Sequence, residues 1–147
     1  MKNFKRAPKN LFKKFGDYFP YSTVDVIIRD DKSFLLAKRT IEPYRNYWNF
    51  VGGVIFKTEK LHETVKRVAK EEAGLEVKIE KFLGVYENPV IVRHDLSHVF
   101  MVTISKGKIK LDFQSNEIKF FKVPPKKIVP YQREMYSDAK SYLIQKK

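Results

Sequence analysis

The chain has 147 residues, 43% of them hydrophobic, which is enough for one domain that buries roughly 70% of its unfolded surface. With no cysteine it can have no disulfide frame, thiol nucleophile or cysteine metal site, and no apolar run reaches the roughly 18 residues of a membrane span. Thirty basic residues against 17 acidic ones give a net charge of +13, a field that draws in phosphates, nucleotides and other polyanions.

Residues 1–20 read as a basic N-terminal arm or short helix. Lys2, Lys5, Arg6, Lys9, Lys13 and Lys14 all precede the first acid, Asp17, and Leu11, Phe12, Phe15 and Phe19 suit one apolar side. A weak contact with RNA or another polyanion is expected of this arm, with no role in the chemistry. It lacks the apolar core of a signal peptide, so a soluble, cytoplasmic protein is expected. Residues 21–147 read as the folded domain. Tyr21 to Arg29 is rich in β-branched residues and predicts a strand, Asp30-Asp31-Lys32 a turn, and Ser33 to Arg39 the second arm of a hairpin. Residues 40–46, with Pro43 and Asn46, predict a loop, and Tyr47 to Val51 a short strand. Beyond a helix described below, strands are expected over Glu76 to Tyr86, Ser97 to Ser105 and Glu117 to Val123. Loops are expected at Arg93 to Asp95 and Asp112 to Asn116. A C-terminal helix is expected over residues 130–145, with Tyr131, Met135, Tyr142 and Leu143 facing the core. Strands interleaved with two helices indicate an α/β fold.

The stretch from Gly52 to Leu75 organises the rest. Leu61, Val65, Val68, Ala69 and Glu72 recur at helical spacing and share one face. Thr58 suits the N-cap, Glu59 the positive end of the helix dipole, and Gly74 a left-handed C-cap. Glu71 and Glu72 stand at the edge of the apolar stripe, where carboxylates are costly unless paired or bound to a cation. An ordinary amphipathic helix with a solvated acidic end is the plainer alternative.

This stretch resembles the signature of the Nudix hydrolases. Gly53, Glu59, Arg67, Ala69, Glu71, Glu72, Gly74 and Leu75 fall in its register, and Val68 departs from it where the family has a metal-binding Glu. The resemblance implies an α/β/α sandwich with a mixed sheet over about residues 20 to 145. It also implies Mg²⁺-dependent (or Mn²⁺-dependent) cleavage of a nucleoside diphosphate linked to another group. It makes Glu72 a direct metal ligand, Glu71 a second or water-mediated one, and the Gly52 carbonyl a further one. Arg67 and Glu59 become a structural pair.

The loss of a carboxylate at Val68 is shared with the GDP-mannose mannosyl hydrolases, which attack a sugar carbon rather than phosphorus. Asp25, Lys38-Arg39-Thr40, Tyr47-Trp48 and Gln114 resemble features of that subfamily. The likeness implies a metal ligand at Gln114 and an active-site arginine at Arg39. Asp25 and Trp48 are the expected further substrate contacts, Trp48 by stacking on a base, with a place in the core as the plainer alternative for that aromatic. Ser115, Val54 and Asn88 stand where the subfamily has its catalytic His, an Arg and a second His. A base is therefore sought at Glu117 or at His94, which lies four residues before His98. The expected substrate is a nucleoside diphosphate-linked small molecule such as a nucleotide sugar, GDP-mannose among them. The rival reading is a nucleotide- or RNA-binding module with weak or no hydrolase activity. A homodimer is left open.

Overall fold

The computed structural model describes residues 4–89, 93–111 and 115–146. In chain order the elements are α1 (Lys9–Tyr18), β1 (Tyr21–Asp30), β2 (Ser33–Arg39), β3 (Trp48–Asn49), β4 (Val51–Val54), α2 (Leu61–Ala73), β5 (Leu75–Pro89), β6 (His94–Gly107), β7 (Ser115–Phe121) and α3 (Gln132–Gln145). The strands form one mixed sheet ordered β3-β2-β1-β6-β5, with β4 also paired to β1 and β7 to β2. Strands β1 and β6 run parallel, from Tyr21 beside Asp95 to Arg29 beside Thr103, and the other pairs are antiparallel. A helix covers each face, as expected of an α/β sandwich.

Strand β1 lies at the centre, and its run Val24–Ile28 is buried on both sides. That is why it reads as a nearly continuous apolar stretch rather than an alternating one. Alternation along it splits the interior in two. Val24, Val26 and Ile28 join Val65, Val68, Ala69 and Ala73 of α2 on one face. Ile27 joins Phe34, Phe50, Met101, Met135 and Tyr136 on the α3 face.

Several boundaries differ from the sequence expectation, for local reasons. Thr58 does not cap α2: it takes a left-handed φ of 71° in the preceding loop, and the helix begins after Lys60, whose backbone N–H donates to Glu63 Oε1. Gly74 does take the left-handed cap, with φ 74° and its N–H on the Lys70 carbonyl. The expected strand Tyr47 to Val51 is interrupted at Phe50, whose N–H bonds the Gln132 side chain instead of a ladder partner. His94, expected in a loop, is the first residue of β6, because it pairs with Pro89 of the unexpectedly long β5. Residues 112–114 of the expected loop Asp112 to Asn116 lie outside the described residues, and Ser115 already belongs to β7.

Candidate active site

The loop that leads from β4 into α2 is fixed by one side chain. Arg67 donates from Nε to Glu59 Oε2 at 2.7 Å, from Nη2 to Glu59 Oε1 and to the Val54 carbonyl, and from Nη1 to Glu71 Oε1 at 2.9 Å. The Glu59 side chain is fully buried, and its Oε1 also accepts the Phe56 N–H. Burial alone would raise the Glu59 carboxyl, but these hydrogen bonds hold it below its ordinary value. The same contacts raise Arg67 against the opposing effect of its own burial. This arrangement sets the start of α2, and hence the position of Glu71 and Glu72 one turn beyond Arg67.

Above this loop Val68 is wholly buried, and a Cβ on Gly53 would stand 3.2 Å from its Cγ2 and 3.9 Å from Glu72 Oε2. The position that departs from the signature is therefore a core contact beneath a glycine, with no polar atom to offer. On the α3 face Gly52 pairs with Asp25 across β4 and β1. A Cβ on Gly52 would collide with Asp25 Oδ1 and approach the Val24 carbonyl to 2.7 Å, so the close packing of these strands requires glycine there.

Asp25 is the floor of the site. Its Oδ2 accepts the Ser97 hydroxyl at 2.5 Å and its Oδ1 the Gln132 amide at 3.4 Å, while Gln132 in turn holds the Phe50 N–H. Burial, with nearby Asp95 adding to it, outweighs the Ser97 hydrogen bond and pushes the Asp25 carboxyl up to about 7. Burial and the charges of Asp25 and Asp95 likewise raise the Tyr131 hydroxyl.

These groups share a cleft of about 1580 Å³. Asp25, Arg39, Gly52, Glu71 and Glu72 all line it. Arg39 ends β2 at a register shift, donates from Nε to the Pro43 carbonyl, and is pushed down by burial while Tyr131 and Glu72 pull it back up. The N-terminal segment forms another wall. Arg6 donates to Glu71 Oε2 at 2.8 Å and lies over the Phe56 ring at 4.7 Å, with Arg67 over the same ring at 4.1 Å. The arm expected to be peripheral to the chemistry thus bonds a candidate metal ligand.

The remaining sequence expectations separate. Glu117 does not line the cleft: it stands in β7 opposite Lys38, its carboxylate paired with Lys119 at 3.4 Å. Neither His94 nor His98 lines it, and His98 Nδ1 bonds the Thr23 carbonyl at 2.9 Å. Trp48 is 8% exposed and packs edge-on against Phe121 in the α3-side core, where it cannot stack on a ligand in the cleft. Gln114 lies outside the described residues. Sequence reasoning misses Ser97, Gln132, Asp95 and Tyr21 as site residues and reads Arg6 only as one charge of the basic arm. Asp95 carried a signal, since a charge opening an apolar strand resembles Asp25 within β1; Gln132 carried none.

Among the described residues no three His, Cys, Asp or Glu side chains converge as a closed metal cage. Mg²⁺ commonly keeps several waters and takes one or two carboxylates together with substrate phosphates. Glu71 and Glu72, one turn above a loop fixed by Arg67, fit that sparse mode, although both Glu71 oxygens are held by arginines. No helix among the described residues is long and apolar enough to cross a membrane.

Known proteins share this chain's sequence and fold. The model of the NUDIX domain matches residues 20–145. The protein named low-salt glycan biosynthesis protein Agl8, from Haloferax volcanii, is 34% identical over 142 residues, which is 91% of this chain and 90% of that protein. An ADP-ribose pyrophosphatase of Methanocaldococcus jannaschii is 35% identical over 116 residues, 77% of this chain and 69% of that one. Among solved structures, a NUDIX hydrolase from Nitrosomonas europaea superposes with a TM-score of 0.71 at 26% identity, covering 86% of this chain and 71% of that one.

Proposed function

This chain belongs to the Nudix hydrolase family, and from that membership we propose that it cleaves a nucleotide sugar with the help of a divalent cation. The observation that carries the reading is the convergence of Glu71, Glu72, Arg39 and Asp25 on one cleft whose walls also bring Arg6 and Arg93. A diphosphate needs such positive charge, and arginine offers it paired hydrogen bonds. One relative is named for glycan biosynthesis and another for ADP-ribose, names that suit sugar-bearing diphosphates. Glu72 would hold Mg²⁺ or Mn²⁺, with Glu71 and the Gly52 carbonyl beside it. The bound cation would offset charge developing on a diphosphate leaving group. Arg39 would bind the same diphosphate, and Asp25 would fix the floor against which the substrate lies.

Val68 points to the site of attack. A wholly buried valine cannot activate water where the family places a carboxylate, so attack at phosphorus loses its usual base. Attack at the anomeric carbon uses the diphosphate as leaving group and yields free sugar and nucleoside diphosphate. In ¹⁸O-water we expect the label in the sugar; label in a nucleoside monophosphate or a sugar phosphate would identify cleavage at phosphorus instead. The same buried valine, and the double engagement of Glu71 by Arg6 and Arg67, favour a second reading: a nucleotide-binding module without turnover. A panel of nucleoside diphosphate compounds with added Mg²⁺ or Mn²⁺ separates the two, since a binding module releases no product from any of them.

A further inference from the structure

Helix α1 has no buried residue, yet it is firmly placed. Phe12 stacks on Tyr21 with ring centroids 4.5 Å apart, and the Tyr21 hydroxyl donates to the Phe12 carbonyl at 2.6 Å. Gly16 lets the helix come this close, because a Cβ there would collide with the Tyr21 hydroxyl. Arg93 lies over the Tyr21 ring at 4.6 Å and is itself held by Asp95 at 2.8 Å. At its other end the segment is tied by Arg6 to Glu71. Toward the cleft that holds Glu71, Glu72 and Arg39 this docking leaves apolar groups uncovered: Leu11 is 54% exposed, Phe15 46% and Tyr18 73%, and all three line that cleft. An amphipathic helix fixed in place by Phe12 and Phe15 on Tyr21, with the rest of its apolar side bare, is a surface with an occupant to come.

We propose that this face of α1 binds the nucleobase of the substrate, so that the N-terminal segment determines specificity while the strands and α2 handle the diphosphate. The proposal rests on the nucleoside diphosphate reading above and names the part of the site that recognises the nucleoside. Charge selects this occupant over a plain apolar peptide. The bare face shares its cleft with Lys5, Arg6, Lys14 and Arg39, so a ligand that fills it carries an apolar, planar group at one end and negative charge at the other. A nucleoside diphosphate has that form, and aromatic side chains stack on any base.

The test compares ADP and inorganic pyrophosphate as ligands of the full chain, by calorimetry with Mg²⁺ present. Leu11 and Tyr18 are the residues to change, since both are more than half exposed and neither holds the helix in place. Leu11→Ala with Tyr18→Ala should weaken ADP binding about tenfold and leave pyrophosphate within about twofold, as expected when only a stacking surface is lost. Tyr18→Phe should keep most of the ADP affinity, because it retains the ring. Equal losses for both ligands, or no loss for ADP, would overturn the assignment. So would a sedimentation shift from dimer to monomer in the double variant with ADP affinity intact, which would make the face a subunit interface. Binding is read without turnover, so the two readings can fail separately. ADP binding that depends on Tyr18, with no product from any nucleotide, would remove the hydrolase and keep the base-binding wall. Turnover whose KM ignores Leu11 and Tyr18 would do the reverse.

Discussion

Two arginine–glutamate pairs meet helix α2 at almost equal distances, Arg67 with Glu59 at 2.7 Å and Arg6 with Glu71 at 2.8 Å. They differ in surroundings. The Arg67 and Glu59 side chains are 13% and 0% exposed, and the pair is closed by hydrogen bonds to Val54 and Phe56. The Arg6 and Glu71 side chains are 62% and 46% exposed and are joined by one contact. Separation alone therefore says little about strength. Desolvation and the number of satisfied hydrogen bonds make the first a lock on the loop, while water and salt make the second a latch that can open.

The largest effect should come from breaking the lock. Glu59→Ala leaves the Arg67 guanidinium buried without its main partner and should lower stability by roughly 3–5 kcal/mol, read from urea midpoints. A loss below about 1 kcal/mol would mean the two pairs are of one kind.

The next contrast is in Mn²⁺ affinity. Glu72 lies beyond both pairs on α2, and Glu72→Gln should weaken Mn²⁺ binding by at least about tenfold, measured by titration. Equal affinity in the two proteins would remove Glu72 from the metal site.

The lock should also show in acid. The folded Glu59 carboxyl lies below its ordinary value of 4.5, so its contribution is whole above that value and fades as pH falls through the lower folded-state value. The stability difference between the native protein and Glu59→Gln should shrink along that descent. A difference that stays constant with pH would show that the pair acts through packing rather than charge.

The smallest effect belongs to the latch. Arg6→Ala should change stability by less than about 1 kcal/mol, and that change should vanish in high salt. A larger loss that persists in salt would promote the N-terminal segment from docked arm to part of the core.

Much of the fold was legible because local rules and tertiary demands agree. The β-branched run of β1, the hairpin turn at Asp31-Lys32 and the helical stripe of α2 each carry a pattern that one period explains. Gly74 was readable because its helix needs a left-handed cap, which Ala or Leu would resist. The candidate site was half legible. Glu71, Glu72, Arg39, Asp25 and Gly52 do meet in one cleft. Glu117, His94 and Trp48 were chosen for their chemistry near suitable spacing, but which way a strand residue faces is set by register. Register placed Glu117 beside Lys119 at the surface and Trp48 in the core.

By itself, then, the sequence determined where most strands fall, the signature helix with its C-terminal cap, and the acidic and basic residue types of the candidate site. These depend on periodicity and on side-chain chemistry, both of which are written locally. Only the tertiary structure decided that Asp25 meets Ser97 and Gln132 from distant elements, that Val68 lies beneath Gly53, and that the basic arm forms a wall of the cleft with Arg6 on Glu71. The physical reason is that burial and long-range pairing are properties of the packed sheet. The side-chain hydrogen bonds among them join residues 65 to 107 positions apart, a distance over which no sequence period carries information.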